Sequence, residues 1–193
     1  MNLLARKKAL RDLMRSFLKE ISPHDRETAS AKIRTQLKAH PLWARSRNIL
    51  FFAPLPQEID LWPLLPEALA AGKSAFLPRY HPESESYVAA EIGNPESECV
   101  PGRFGIREPS PAYPEAPLKH LDLILVPALG FDKLGGRLGR GRGFYDRLLA
   151  QAPGVKCGVG YDRQLLEEVP VDAHDIRMNY ILTPSGWIDS LPI

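Results

Sequence analysis

Leu121-Asp122-Leu123-Ile124-Leu125-Val126, then Gly135-Gly136-Arg137-Leu138-Gly139-Arg140-Gly141-Arg142-Gly143-Phe144-Tyr145-Asp146, then Val155-Lys156-Cys157-Gly158-Val159-Gly160, is the succession that sets the fold of this chain. The first and last segments are short apolar runs of strand character. Between them, Phe144-Tyr145-Asp146-Arg147-Leu148-Leu149 has the spacing of the first turns of a helix. Two strands joined through a helix form a β-loop-α-β unit, and such strands lie parallel. The central run holds five glycines and three arginines. Glycine lets backbone amides approach a ligand, a helix start adds the positive end of its dipole, and arginine offers planar forks to oxyanions. The run is therefore an anion cradle, suited to a nucleotide phosphate. It is not a Walker loop, because no Lys-Ser or Lys-Thr pair closes it. Gly139-x-Gly141 matches only the opening of the dinucleotide fingerprint, whose third glycine would fall on Phe144. The competing reading is a flexible Arg-Gly segment that binds nucleic acid or nothing. Such segments usually sit in low-complexity tails, and this one lies between a strand and a helix.

Outward from this unit, the pattern remains that of an alternating α/β chain. Leu3, Leu10, Leu13, Met14, Phe17, Leu18 and Ile21 fall at helical spacing, which predicts an amphipathic helix over 3–21 with Arg6, Lys7, Lys8, Arg11, Arg15 and Lys19 on its polar face. Ser22-Pro23 opens a second helix reaching about Ala39. Strands are predicted over 48–53, 74–78, 87–92 and 180–183, a helix over 61–71 closed by Gly72, and a long surface loop over 93–118. The alternation argues for α/β architecture: a mainly parallel sheet flanked by helices, with ligands bound beyond the carboxyl ends of its strands.

Bulk properties narrow the function classes. The 193 residues are expected to form a single domain over 1–193. A net charge of +2 is too small to argue for general nucleic-acid binding, and no run approaches the ~20 apolar residues of a membrane span. Cys99 and Cys157 carry no metal spacing and no disulfide framework. A reducing cytoplasm fits both the thiols and the start of the chain, where no long apolar segment follows the basic residues.

Several side chains could carry chemistry. Asp146, just inside the helix after the cradle, either favours the helix start or ligates Mg²⁺, which is commonly held by one or two carboxylates and substrate phosphates. Asp172 and Asp175 are candidates for a second carboxylate, and spacing does not choose between them. Lys7 and Arg11 share a helix face, which is either solvated or folded over the Gly/Arg run. Glu58 is either a loop acid or a buried acceptor for a heterocycle with several N–H groups. No Ser/His/Asp or Cys/His arrangement is present, so positioning and electrostatics are favoured over a covalent nucleophile.

Val126-Pro127-Ala128-Leu129-Gly130-Phe131-Asp132 followed by Gly136 to Asp146 resembles the 5-formyltetrahydrofolate cyclo-ligase family. Lys7-Lys8-Ala9-Leu10-Arg11, Gln57-Glu58-Ile59, Leu77-Pro78-Arg79-Tyr80, Phe104-Gly105-Ile106, Asp175 and Thr183-Pro184 extend the resemblance along almost the whole chain. It implies one α/β domain related to the sugar-isomerase and CoA-transferase folds. The implied activity is ATP- and Mg²⁺-dependent conversion of 5-formyltetrahydrofolate to 5,10-methenyltetrahydrofolate. Carried over by position, Lys7, Arg11, Arg137, Leu138, Gly139, Arg140, Gly141, Arg142, Gly143, Phe144 and Tyr145 would contact ATP. Leu55, Glu58, Arg140, Gly141, Arg142, Gly143 and Phe144 would contact the folate. Arg140 and Arg142 would be catalytic, and Asp146 and Asp175 would hold Mg²⁺. Phe144 departs from the pattern, which usually has the first of two tyrosines there. The expected partners are the folate and ATP, with no nucleic acid, no membrane and a monomeric state. The alternatives are a non-catalytic folate-binding paralogue, an acyl-CoA or sugar-phosphate enzyme of the related fold, and the Arg-Gly nucleic-acid binder.

Overall fold

A computed structural model of the chain describes residues 2–190. Met1 and residues 191–193, part of the expected domain span, lie outside the described residues, as does the Phe104 side chain. The described residues build one eight-stranded sheet. From edge to edge it runs Gly186–Asp189, Tyr180–Thr183, Val155–Val159, Leu123–Pro127, Asn48–Leu50, Ser74–His81, Ser86–Ile92 and Glu115–Ala116. The strands from Tyr180–Thr183 to Ser74–His81 are parallel, and antiparallel partners extend both edges. This is the expected α/β class with a mainly parallel sheet.

The strand Leu123–Pro127 shows why its sequence reads as continuously apolar. Leu123 and Leu125 enter the core on one face, while Ile124 and Val126 enter the core on the other. A parallel strand buried on both sides has no use for a polar alternation. The first core is covered by the helices Leu3–Lys19, Pro23–Ala39 and Leu64–Ala70, which contribute Met14, Phe17, Ile33, Leu37, Leu64 and Leu65. The second is covered by the helix Phe144–Gln151 through Leu148 and Leu149.

The N-terminal helix spans Leu3–Lys19, with the Asn2 side chain accepting the Ala5 N–H at 2.9 Å as its cap. Leu13, counted in its apolar stripe, is exposed, while Lys7, counted in its polar face, is buried. The strand expected over 48–53 ends at Leu50, although Phe51, Phe52 and Ala53 stay buried. Pro54 follows them, and proline lacks the N–H a ladder needs. The strand expected over 74–78 continues to His81. Its parallel register with Asn48–Leu50 ends at Phe76, so Pro78 is paired on the antiparallel side alone. The helix expected over 61–71 is confined to Leu64–Ala70, since Pro63 sits at its cap rather than inside it.

The segment 93–118 is not one bare loop. It contains the hairpin of Cys99–Pro101 with Arg107–Pro109, and it adds Glu115–Ala116 to the sheet edge. Part of the Gly/Arg run is also strand: Arg137–Leu138 pairs with Gly130–Asp132, which pairs with Leu165–Leu166. The cradle proper is therefore 139–143. No described helix is long and apolar enough to cross a membrane.

Candidate active site

A cavity of about 480 Å³ opens at the carboxyl end of the strand Leu123–Pro127, lined there by Pro127 and the following Ala128, and by Pro78 within the strand Ser74–His81. All the site residues singled out from sequence line it: Lys7, Arg11, Leu55, Glu58, Arg137 through Asp146, and Asp175. The Gly/Arg run forms one wall because its start is fixed. The buried Asp132 accepts the N–H groups of Leu134 at 2.9 Å and Gly136 at 2.8 Å through Oδ1, and that of Val169 at 2.8 Å through Oδ2. At its end, Gly141 (φ 102°) and Gly143 (φ 66°) take backbone angles that a side chain would strain. Gly143 is the N-cap of the helix Phe144–Gln151 and, being glycine, supplies no side chain to cap it. Gly143, Phe144 and Tyr145 of this helix start line the cavity, and a helix start presents the positive end of its dipole to an anion.

The N-terminal helix closes the cation-rich end. Arg11 Nε donates to the Gly139 carbonyl at 2.9 Å, tying the helix to the cradle across 128 positions of sequence. Lys7 reaches Asp172 at 3.0 Å and Asp175 at 2.5 Å. Burial on its own would lower the Lys7 pKa, but hydrogen bonds and charge from Asp175 and Asp172 outweigh it and hold the ammonium above its ordinary value. The face that could have been solvated is instead docked. Arg137, almost wholly buried, pairs with Asp146 Oδ1 at 2.7 Å, and its Nε has no hydrogen-bond partner. An orphaned buried guanidinium donor beside the cradle is the mark of a site waiting for an acceptor.

The opposite end is aromatic and acidic. Phe144 meets Tyr80 edge-on at 5.5 Å and Tyr87 at 5.4 Å, and Tyr87 meets Tyr145 at 5.6 Å. The Phe144 ring thus keeps its place by ring packing and needs no hydroxyl for it. Burial, reinforced by the charges of Glu108 and Glu58, pushes the Tyr87 hydroxyl up to about 12. Burial raises Tyr145 as well, so both hydroxyls remain protonated donors at neutral pH. Glu58 is buried, accepts the Leu55 N–H at 3.0 Å, and pairs with Arg140 at 2.8 Å. Its turn is held from behind by Arg26, which donates to the Glu58 carbonyl at 2.8 Å, and by the Tyr161 hydroxyl on the Gln57 carbonyl at 3.2 Å.

Among the described residues no group of three His, Cys, Asp or Glu is placed to hold a metal. The donor set fits Mg²⁺ held by one or two carboxylates plus substrate phosphates, and not a metal caged by protein alone. Asp146 and Asp175 border the same cavity, each already beside a cation. Asp172 shares Lys7 with Asp175 and also lines the cavity, so the structure brings together both acids that spacing left open. Tyr87, Ile106 and Glu108 were not singled out as site residues, and they line it too. A lone glutamate before Pro109 carries no periodic signal; only the fold of the hairpin delivers it.

A cavity at the carboxyl ends of parallel strands, with buried cations and a glycine-rich helix start at one end and edge-packed aromatic rings at the other, defines an α/β small-molecule enzyme that handles an anion beside a flat ligand. The model of the 5-formyltetrahydrofolate cyclo-ligase family matches residues 4–184, and the chain belongs to that family. The 5-formyltetrahydrofolate cyclo-ligase of Escherichia coli K12 is 32% identical over 177 residues, covering 90% of this chain and 97% of the relative. That of Mycolicibacterium smegmatis is 37% identical over 155 residues, covering 75% of this chain and 77% of its own. The 5,10-methenyltetrahydrofolate synthetase structure from Aquifex aeolicus aligns with a TM-score of 0.87 at 32% identity, over 97% of this chain and 94% of that one.

Proposed function

We propose that this chain converts 5-formyltetrahydrofolate to 5,10-methenyltetrahydrofolate at the expense of ATP, giving ADP and phosphate. The observation that carries this reading is the convergence of Lys7, Arg11, Glu58, Arg137, Asp146 and Asp175, far apart in sequence, on one cavity. In the reaction the formyl oxygen attacks the γ-phosphorus, and the bond to ADP breaks. N10 then adds to the activated formyl carbon and gives up its proton as the carbon–oxygen bond to phosphate breaks. Every nucleophile belongs to a substrate, which matches a site with no Ser/His/Asp or Cys/His set. The protein's task is positioning and charge.

Lys7, Arg11 and Arg137 counter the triphosphate, and the amides of 139–145 cradle it. Arg140 and Arg142 flank the transferring group, where their charge counts most in the transition state. The Arg140–Glu58 pair joins the phosphate end to the folate end. Leu55 and Phe144 contact the folate, and Phe144 offers a ring face or edge to its aromatic parts. Asp146 and Asp175 hold Mg²⁺, which when bound neutralises phosphate charge. We take the chain to act as a monomer in a reducing cytoplasm. The reducing compartment suits the free thiols of Cys99 and Cys157.

Methenyltetrahydrofolate absorbance, followed with 5-formyltetrahydrofolate and ATP, should rise only when Mg²⁺ is present. No product under any of these conditions would overturn the reading. Glu58→Gln should weaken 5-formyltetrahydrofolate and leave nucleotide affinity nearly unchanged. A charge-assisted hydrogen bond contributes about 1.5–3 kcal/mol, so the loss should be about tenfold or more. Equal weakening of both ligands would mark Glu58 as a structural acid for Arg140.

A further inference from the structure

Glu108 lies on the strand Arg107–Pro109, is 5% exposed, and lines the cavity. Its Oε2 accepts the Tyr80 N–H at 3.1 Å, whereas Oε1 is buried with no hydrogen-bond partner. The seat is built around the carboxylate. A Cβ on Gly102 would fall 2.3 Å from Glu108 Cδ, so the hairpin turn closes on this side chain only because residue 102 is glycine. Buried acceptors are almost always satisfied, and an unpartnered carboxylate oxygen on a residue that lines the cavity calls for a donor from the ligand.

The surroundings say which ligand. Glu108 and Glu58 both act electrostatically on Tyr87 and on Tyr145, so the two acids share the aromatic end of the cavity. A carboxylate there repels phosphate. Glu58 is already engaged by Arg140 and Leu55; Glu108 keeps one oxygen uncommitted. The tetrahydropterin ring carries an amino group at C2 beside N3–H, two in-plane donors on one edge, and a carboxylate oxygen is their natural acceptor. Burial raises the Glu108 pKa, opposed by backbone N–H groups of Tyr80 and Arg103 and by the charges of Arg79 and Arg103. Donors from a ligand would add to that opposition.

We propose that Glu108 is a substrate-binding residue, its Oε1 accepting the N–H donors on the 2-amino-4-oxo edge of the pterin; this rests on the folate reading above. Glu58 then lies nearer the reacting end, through its link to Arg140, and Glu108 fixes the far end of the ring.

The test is equilibrium binding by the full chain and its Glu108→Gln and Glu108→Ala variants. The probes are 5-formyltetrahydrofolate, a 5-formyl-6-methyltetrahydropterin, p-aminobenzoylglutamate and MgATP. Both pterin-containing ligands should bind about tenfold or more weakly in each variant, with p-aminobenzoylglutamate and MgATP within about twofold of wild type. A 2-desamino-2-methyl analogue should show a smaller difference between wild type and Glu108→Gln, because it lacks the 2-amino donor and keeps only N3–H for Oε1. Glu108→Gln keeps an oxygen for the Tyr80 N–H, so it decides the matter if the alanine variant does not fold. Unchanged pterin affinity in Glu108→Gln, or an equal loss for MgATP, overturns the assignment while leaving the proposed activity standing. If the wild-type chain binds MgATP but not 5-formyltetrahydrofolate, the proposed activity fails first and takes this assignment with it.

Discussion

Asp146→Asn is expected to lower turnover by ~10³-fold, because a bound metal's charge contributes several kcal/mol to phosphoryl transfer and each 1.4 kcal/mol is about tenfold. The substitution removes one charge and almost no volume. Asp146 lies 2.7 Å from Arg137 through Oδ1, and an asparagine oxygen there can still accept that hydrogen bond. The almost wholly buried Arg137 does lose the charge opposite it, so stability should fall by about 1–3 kcal/mol. The thermal midpoint should drop by a few degrees, leaving a folded protein at assay temperature. The metal role and the structural one separate in a Mg²⁺ titration. Asp175→Ala, which leaves Lys7 its contact to Asp172, should raise the Mg²⁺ concentration needed for half-maximal rate while keeping substantial turnover at saturation. Near wild-type turnover at limiting Mg²⁺ in both variants would refute the assignment, and the two acids would then be counter-ions for Arg137 and Lys7 only.

The parts of this site that were legible in sequence are those with a local cause. The strand Leu123–Pro127 is apolar throughout because both its faces are buried, and that signature needs no knowledge of what packs against it. The cradle is legible because positive φ at Gly141 and Gly143 demands glycine wherever the chain folds this way. What was not legible depends on partners distant in sequence. Arg137–Leu138 looks like part of a loop, yet it is a strand because Gly130–Asp132 lies beside it. Gly186–Asp189 was not foreseen as a strand, and its register against Tyr180–Thr183 makes it one. Lys7 has the sequence of a solvated helix face, and its burial comes from Asp172 and Asp175, more than 160 positions away. Glu108 was missed for the same reason. Its seat is made by Tyr80 and Gly102, which no spacing rule connects to it.

Changing Lys7 and Arg11 together to alanine should raise the Michaelis constant for ATP by ~10²-fold, the scale of two charge-assisted contacts that each contribute about 1.5–3 kcal/mol and do not fully add. The constant for 5-formyltetrahydrofolate should change by no more than about threefold, since Lys7 pairs with Asp172 and Asp175 and Arg11 with the Gly139 carbonyl, away from the aromatic end. The double variant should fold. Met14, Phe17 and Leu18 remain to dock the helix on the main core, and the alanines favour helix at both positions. The two single variants should behave differently. Arg11→Ala frees the Gly139 carbonyl and loosens the cradle, so it should act chiefly on ATP affinity. Lys7→Ala leaves Asp172 and Asp175 facing each other without their shared cation, so it should also cost stability and change the Mg²⁺ requirement. Steady-state kinetics with each substrate varied in turn, beside thermal unfolding of each variant, measures all of these. An unchanged ATP constant in the double variant would leave the helix as a structural strap across the cradle, its cations serving Gly139, Asp172 and Asp175 and not the nucleotide.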